Sequence, residues 1–75
     1  MSIAFVLINT NMGLEGEVTK DLKEISEVKD VYSVYGVYDL VVRLEADTME
    51  ELKKAISDRV RRLKNVRTTL TMIVV

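Results

Sequence analysis

Val31-Tyr32-Ser33-Val34-Tyr35-Gly36-Val37-Tyr38-Asp39-Leu40-Val41-Val42-Arg43-Leu44 reads as two apolar strands that meet at a short turn. β-Branched and aromatic residues crowd both arms, as a pleated, half-buried surface favours. The arms run from Val31 to Tyr35 and from Leu40 to Ala46. In the second arm Leu40, Val42 and Leu44 share one face, and Val41, Arg43 and Glu45 the other. The turn between them carries Gly-x-Tyr-Asp. Gly36 there admits a positive φ or a close backbone approach. Asp39 sets a carboxylate at the mouth of the second strand, beside backbone N–H groups that the turn leaves free. Backbone dipoles beside one carboxylate suit a small zwitterion.

On the N-terminal side, Ile3-Ala4-Phe5-Val6-Leu7-Ile8 is a continuous apolar run of strand length. Asn9-Thr10-Asn11-Met12-Gly13 breaks it with turn formers. Leu14, Val18, Leu22 and Ile25 then recur at helical spacing. Glu15, Glu17 and Asp21 lie between them, and acids early in a helix oppose its dipole. Gly16 weakens that first turn by up to ~1 kcal/mol relative to Ala. On the C-terminal side, Thr48 and Glu51 fit a capping box, with Asp47 as the competing cap. Met49, Leu52, Ile56, Val60 and Leu63 predict the second helix, with Arg61, Arg62 and Lys64 in its last turn. Val66 to Val75 is the final strand.

The order is therefore β-α-β-β-α-β. Right-handed crossovers leave few topologies, and the common one is the split-βαβ, ferredoxin-like sheet. That is an α+β fold, a four-stranded antiparallel sheet with two helices on one face. A one-sided sheet in water alternates apolar and polar residues, but Ile3–Ile8 and Met72–Val75 are apolar on both sides. The open face must meet something. A second copy, packed sheet on sheet, is the simplest partner.

At 75 residues the chain, residues 1–75, is expected to form one domain. A domain of this size buries only about 60% of its unfolded-chain surface. Yet 48% of the residues are hydrophobic, more than one small core requires, and oligomer formation takes up the excess. The absence of Cys and His removes disulfides, thiolate chemistry and nearly all zinc, haem and iron–sulfur sites. No cofactor is implied. A formal charge of −1 opposes a binder held by phosphate neutralisation. No apolar run approaches the ~20 residues of a membrane span, and Met1-Ser2-Ile3 lacks a signal peptide's basic start. The expectation is a cytoplasmic protein without a membrane partner.

Each candidate site has a plain structural reading beside the functional one. Gly36-Val37-Tyr38-Asp39 is equally a hairpin turn with an Asp cap, and alone that reading wins. Thr69 and Thr71 share one face of the last strand with Ile73 and Val75; threonine is a good strand former, yet the two hydroxyls suit a bound polar group. Tyr32, Tyr35 and Tyr38 fit interface packing with wet hydroxyls better than a base-stacking platform. Arg59, Arg61, Arg62, Lys64 and Arg67 form a basic cluster whose simplest meaning is a solvated helix end. For catalysis the inventory is thin, with scattered acids and no nucleophile–base set, so the chain is read as a non-enzyme. An enzyme of the dimeric α/β-barrel type ranks a distant third among the readings.

The βαββαβ order, Val31-Tyr32 with Gly36-x-Tyr38-Asp39, and the Val66-Arg67-x-Thr69-x-Thr71-x-Ile73-Val74-Val75 ending together resemble the ligand-binding regulatory (RAM) domain of the Lrp/AsnC feast/famine transcription regulators. The resemblance spans the chain from Ala4 to Val75. It implies an amino-acid-sensing regulatory domain that binds free amino acids or related metabolites at interfaces between dimers. Gly36, Val37 and Tyr38 would then offer main-chain contacts, and Asp39 would accept from the ligand's ammonium. Thr69 and Thr71 would contact it from the same or a neighbouring subunit. The family's dimers pack sheet on sheet and often assemble into octamers. A Val, Leu, Tyr and Met lining favours an aliphatic or thioether amino acid. Full-length members carry an N-terminal helix-turn-helix, for which a first strand starting at Ile3 leaves no room. The expectation is therefore a stand-alone domain without direct DNA binding that modulates full-length Lrp/AsnC regulators. The alternative is a ligand-free assembly module that co-oligomerises with them. The ACT domain, another amino-acid-binding βαββαβ module, places its ligand near a Gly-containing turn after strand one. Asn11-Met12-Gly13 is a partial match to that turn.

Overall fold

The computed structural model covers residues 1–75. Its elements are β1 (Ser2–Thr10), α1 (Glu15–Lys23), β2 (Val28–Ser33), β3 (Leu40–Ala46), α2 (Met49–Ala55) and β4 (Val66–Ile73). A π-helical stretch, Ile56–Val60, continues directly from α2. The four strands form one antiparallel sheet in the order β2-β3-β1-β4. This is the ferredoxin-like α+β arrangement expected from the sequence.

Register decides which side of the ambiguous β1 faces in. Ala4, Val6 and Ile8 are opposite Leu44, Val42 and Leu40, and all six are buried. Val18 and Leu22 of α1, Ile25 just past its end, and Leu52, Ile56 and Val60 of the second helix cover them. Removing such a side chain, as in Leu22→Ala, costs about 2–5 kcal/mol through lost transfer energy and a residual cavity. Ile3, Phe5 and Leu7 take the other face, beside the half-exposed Leu70 and Met72 of β4. Charge on that face is tied down by the β3 residue Arg43. Its Nε donates to the Asp30 carboxylate at 2.6 Å, and a second guanidinium nitrogen pairs with Glu45.

Four elements have boundaries that differ from the sequence reading. β1 runs from Ser2 to Thr10, so Asn9 and Thr10, read as turn formers, instead pair with β4. β2 begins at Val28 and ends at Ser33, because a bulge between Val28 and Asp30 extends the pairing with β3 backwards. Val34 and Tyr35 thus leave the strand. The second helix loses α-geometry after Ala55 and stops at Val60, so Arg61, Arg62 and Lys64 lie beyond it. β4 ends at Ile73. Thr48, rather than Asp47, caps α2: its hydroxyl accepts the Glu51 backbone N–H at 3.1 Å.

Candidate functional site

The Gly-x-Tyr-Asp segment forms an open loop rather than a tight turn. Val34 N–H donates to the Asp39 carbonyl at 2.9 Å, closing the loop at its neck. Between them Tyr35 and Val37 stand fully or nearly fully in solvent. Gly36 does not adopt a positive φ, and a Cβ built on it meets nothing within 4 Å. A loop of this length reverses the chain without a left-handed residue, so no contact within the chain requires glycine here.

Asp39 is where the loop meets the sheet. Its backbone N–H donates to the Ile8 carbonyl at 3.0 Å, an additional link between the start of β3 and β1. Its carboxylate Oδ2 accepts the Thr10 backbone N–H at 3.0 Å and the Thr10 hydroxyl at 3.4 Å. The expectation that the loop's own free N–H groups would surround the carboxylate is therefore corrected. The donor comes from the end of β1, where a register shift at Asn9/Thr10 frees the Thr10 N–H from the ladder. Thr10 is the one buried polar residue, so this pairing satisfies a group that would otherwise be costly to bury.

Two left-handed residues shape the surroundings. Gly13, with φ of 80°, turns the chain from β1 into α1. Asn65, with φ of 74°, turns it into β4. Both are residue types that tolerate this region. Asn11 N–H donates to the Asn65 carbonyl at 2.9 Å, and the two side chains bond at 3.3 Å. The tied turns and the Gly-x-Tyr-Asp loop border an open concavity of about 330 Å³. Asn9, Thr10, Met12, Gly13, Glu15, Val37, Asp39 and Arg67 line it. Two carboxylates and one guanidinium thus share one hollow.

Of the residues singled out in the sequence, Asp39 and Val37 line this hollow, and Gly36 and Tyr38 lie in the same loop. Thr69 and Thr71 do not line it. Their partners Ile8 and Val6 place both on the helix-covered face, and Thr71 opens onto a different groove. Within one chain the loop and the threonine pair are not brought together. The sequence reading assigns Arg67, Glu15 and Asn9 to no site. Arg67 was absorbed into a basic cluster and Glu15 into the helix dipole. Besides the Gly-x-Tyr-Asp segment, the signal that points here is the partial ACT-like match at Asn11-Met12-Gly13. No group of acids is arranged to hold a metal ion.

Comparison with known proteins agrees with this architecture. The chain is 41% identical to FFRP-DM1, with a TM-score of 0.95 and complete coverage of both chains. It is also 41% identical to a hypothetical protein from Pyrococcus horikoshii, with a TM-score of 0.93, covering 100% of this chain and 90% of that one. A feast or famine regulatory protein from M. tuberculosis, complexed with L-methionine, is 28% identical with a TM-score of 0.80. That match covers 99% of this chain and 50% of the regulator. No curated protein sequence matches significantly. A family model described as the Lrp/AsnC ligand binding domain matches residues 3–75. The chain belongs to the Lrp/AsnC ligand-binding domain family.

Proposed function

We propose that residues 1–75 act as one amino-acid-sensing domain, with the hollow around Asp39 and Arg67 as the ligand site. The observation that carries this reading is the placement of opposite charges in one concavity. A free amino acid is a zwitterion. Its ammonium matches Asp39 and Glu15, and its carboxylate matches the guanidinium of Arg67. Met12 and Val37 supply the apolar lining for an aliphatic or thioether side chain. A volume of 330 Å³ falls at the lower end of small-molecule sites (about 300–1,000 Å³). The methionine complex of the mycobacterial relative supports the same ligand class.

Gly36, Val37 and Tyr38 offer main-chain groups to the ligand in this reading. Thr69 and Thr71 enter only as contributions from a neighbouring subunit. The domain dimerises through the face bearing Ile3, Phe5, Leu7, Leu70 and Met72, and dimers assemble further. It works in the cytoplasm, binds rather than catalyses, and passes its ligand state to full-length Lrp/AsnC regulators. A ligand shifts such an assembly only through different affinity for its states. A thermal-shift screen of the purified protein against the twenty amino acids, with light scattering on the hits, tests this. A rise of several degrees for one chemical group supports the sensor; no shift at millimolar concentration refutes it.

One observation favours a second reading, a ligand-free assembly module that co-oligomerises with those regulators. Asp39 already bonds Thr10, so its carboxylate has a structural task without any ligand. A stable mixed oligomer with no amino-acid response is the signature of that module.

A further inference from the structure

Register arranges the open face of the sheet in rows that run across the strands. Tyr32, Val41, Leu7 and Leu70 stand side by side in one row, apolar from end to end but for the tyrosine hydroxyl. The next row holds Asp30, Arg43, Phe5 and Met72, charged at its β2 end and apolar at its β4 end. On the other side of the apolar row Asn9 stands beside Thr68, and its amide donates to the Thr68 hydroxyl at 3.2 Å. Arg43 joins Asp30 and Glu45 in one cluster of two acids and one cation, each side chain between 20% and 34% exposed. Strength of association alone gives no reason for these charges, since apolar residues of similar volume are buried at lower cost.

The rows discriminate between ways of covering this face with a second copy. Such a pair meets through the same surface on both sides, so the two-fold axis decides which row faces which. An axis along the apolar row sets that row on its own copy. The Arg43 row then lies on the neutral polar row of Asn9 and Thr68, whose amide and hydroxyl can both donate and accept hydrogen bonds. Moving the axis by one row, about 7 Å, sets Arg43 on Arg43 and Asp30 on Asp30 of the other copy. Like charges would then face each other in a desolvated seam. An axis parallel to the strands fares no better, because it sets Asp30 on Met72 of the other copy.

We propose that the Asp30–Arg43–Glu45 cluster fixes the register in which two copies of this chain pair, holding them on the Tyr32–Val41–Leu7–Leu70 row. This rests on the sheet-on-sheet dimer proposed above and adds what selects one alignment of it. Single polar residues in the apolar seam of coiled coils set register in the same way.

The chain has no cysteine, so single introduced cysteines report which residues face their own copies. Leu70 and Met72 are equally accessible in the single chain, 45% and 46% exposed. Under mild oxidation Leu70→Cys should form disulfide-linked dimers at least about 10-fold faster than Met72→Cys. Asp30→Val, Arg43→Met and Glu45→Leu together make the cluster apolar. In that background the two rates should converge while the dimer is no weaker. Asp30→Lys, Arg43→Glu and Glu45→Lys together reverse every charge, and like charges still face each other in the slipped register. That chain should keep the preference for Leu70→Cys, with circular dichroism as the check on folding for both backgrounds. Equal rates in the wild-type or the charge-reversed background overturn the proposal, as does a preference that survives in the apolar one. A monomer by light scattering, with neither cysteine linking, overturns the dimer reading itself and the register with it.

Discussion

Asp39 and Thr10 are joined twice, by a carboxylate oxygen that accepts both the Thr10 backbone N–H at 3.0 Å and its hydroxyl at 3.4 Å. The same carboxylate therefore seals the frayed end of β1 and faces the hollow where a ligand ammonium would lie. Structure and binding are separable by substitution. Asp39→Asn keeps an oxygen for Thr10 but removes the charge. It should weaken amino-acid affinity about 10-fold or more while leaving the melting temperature nearly unchanged. Asp39→Ala loses both and should also cost about 1–3 kcal/mol, because the Thr10 N–H is left unpaired. Denaturation paired with titration of both variants checks this; a charge-neutral variant with wild-type affinity would sink the assigned role.

Gly36 has no structural demand within the chain, since its φ is not left-handed and a Cβ would meet nothing. Gly36→Ala should therefore leave stability unchanged or raise it by up to about 1 kcal/mol, through a less flexible unfolded chain. If ligand or a neighbouring copy approaches the loop backbone closely, the same methyl will reduce ligand response. Melting curves with and without the amino acid found in the screen separate these effects. Loss of stability without ligand would place the requirement for glycine inside the single chain instead.

How far the sequence reading reached is clear at particular residues. Helix periodicity and the alternation of Leu40, Val42 and Leu44 were enough for the βαββαβ order. They could not choose between Ala4, Val6, Ile8 and Ile3, Phe5, Leu7, because both sets are apolar; only the helices, covering the first set, decide. The π-turn was invisible because Ile56 and Val60, four apart, suit an α-helix as well. Asp39 was legible from its turn, whereas its partner Thr10 was not. Arg67 was misplaced for a related reason. Only the pairing of β4 with β1, bulged near Thr10, brings it from the far end of the chain to the hollow.

Leu70 lies on the open face opposite Leu7 and is 45% exposed in the single chain. A lysine there should cost the isolated fold little, as surface substitutions generally fall within about 0.5 kcal/mol. Buried in a sheet-on-sheet dimer, the same charge is unpaired and desolvated. If the proposed dimer forms through this face, Leu70→Lys should convert it to monomer with the circular-dichroism spectrum retained. Light scattering at matched concentration reads the result, and an unchanged mass would move the interface elsewhere.

Thr48 accepts the Glu51 N–H at the start of α2, the short helix that carries Leu52 into the core and leads to the π-turn. Thr48→Ala should cost about 1 kcal/mol, as loss of an N-cap generally does. In a domain of this size that is a fall of about 4–8 °C in Tm. Thr48→Asp should restore most of the loss. A melt unchanged by alanine would mean that Asp47 takes over the cap.

Arg67 is the only cation lining the Asp39 hollow, and it forms no ion pair within the chain. In the proposed site it receives the carboxylate of an amino acid whose ammonium faces Asp39 and Glu15. Charge-assisted hydrogen bonds to a carboxylate are worth about 1.5–3 kcal/mol. Arg67→Gln should therefore weaken binding of the screened amino acid by roughly 10- to 150-fold, given that about 1.4 kcal/mol is a factor of ten. The amide of the same amino acid lacks the carboxylate charge, so its weaker binding should be nearly indifferent to this substitution. That double comparison is specific. A mere loss of local packing would depress both ligands together, whereas a lost charge partner depresses only the acid. Equal losses for acid and amide would assign Arg67 to the shape of the hollow, leaving the carboxylate to the backbone of the Gly36 loop.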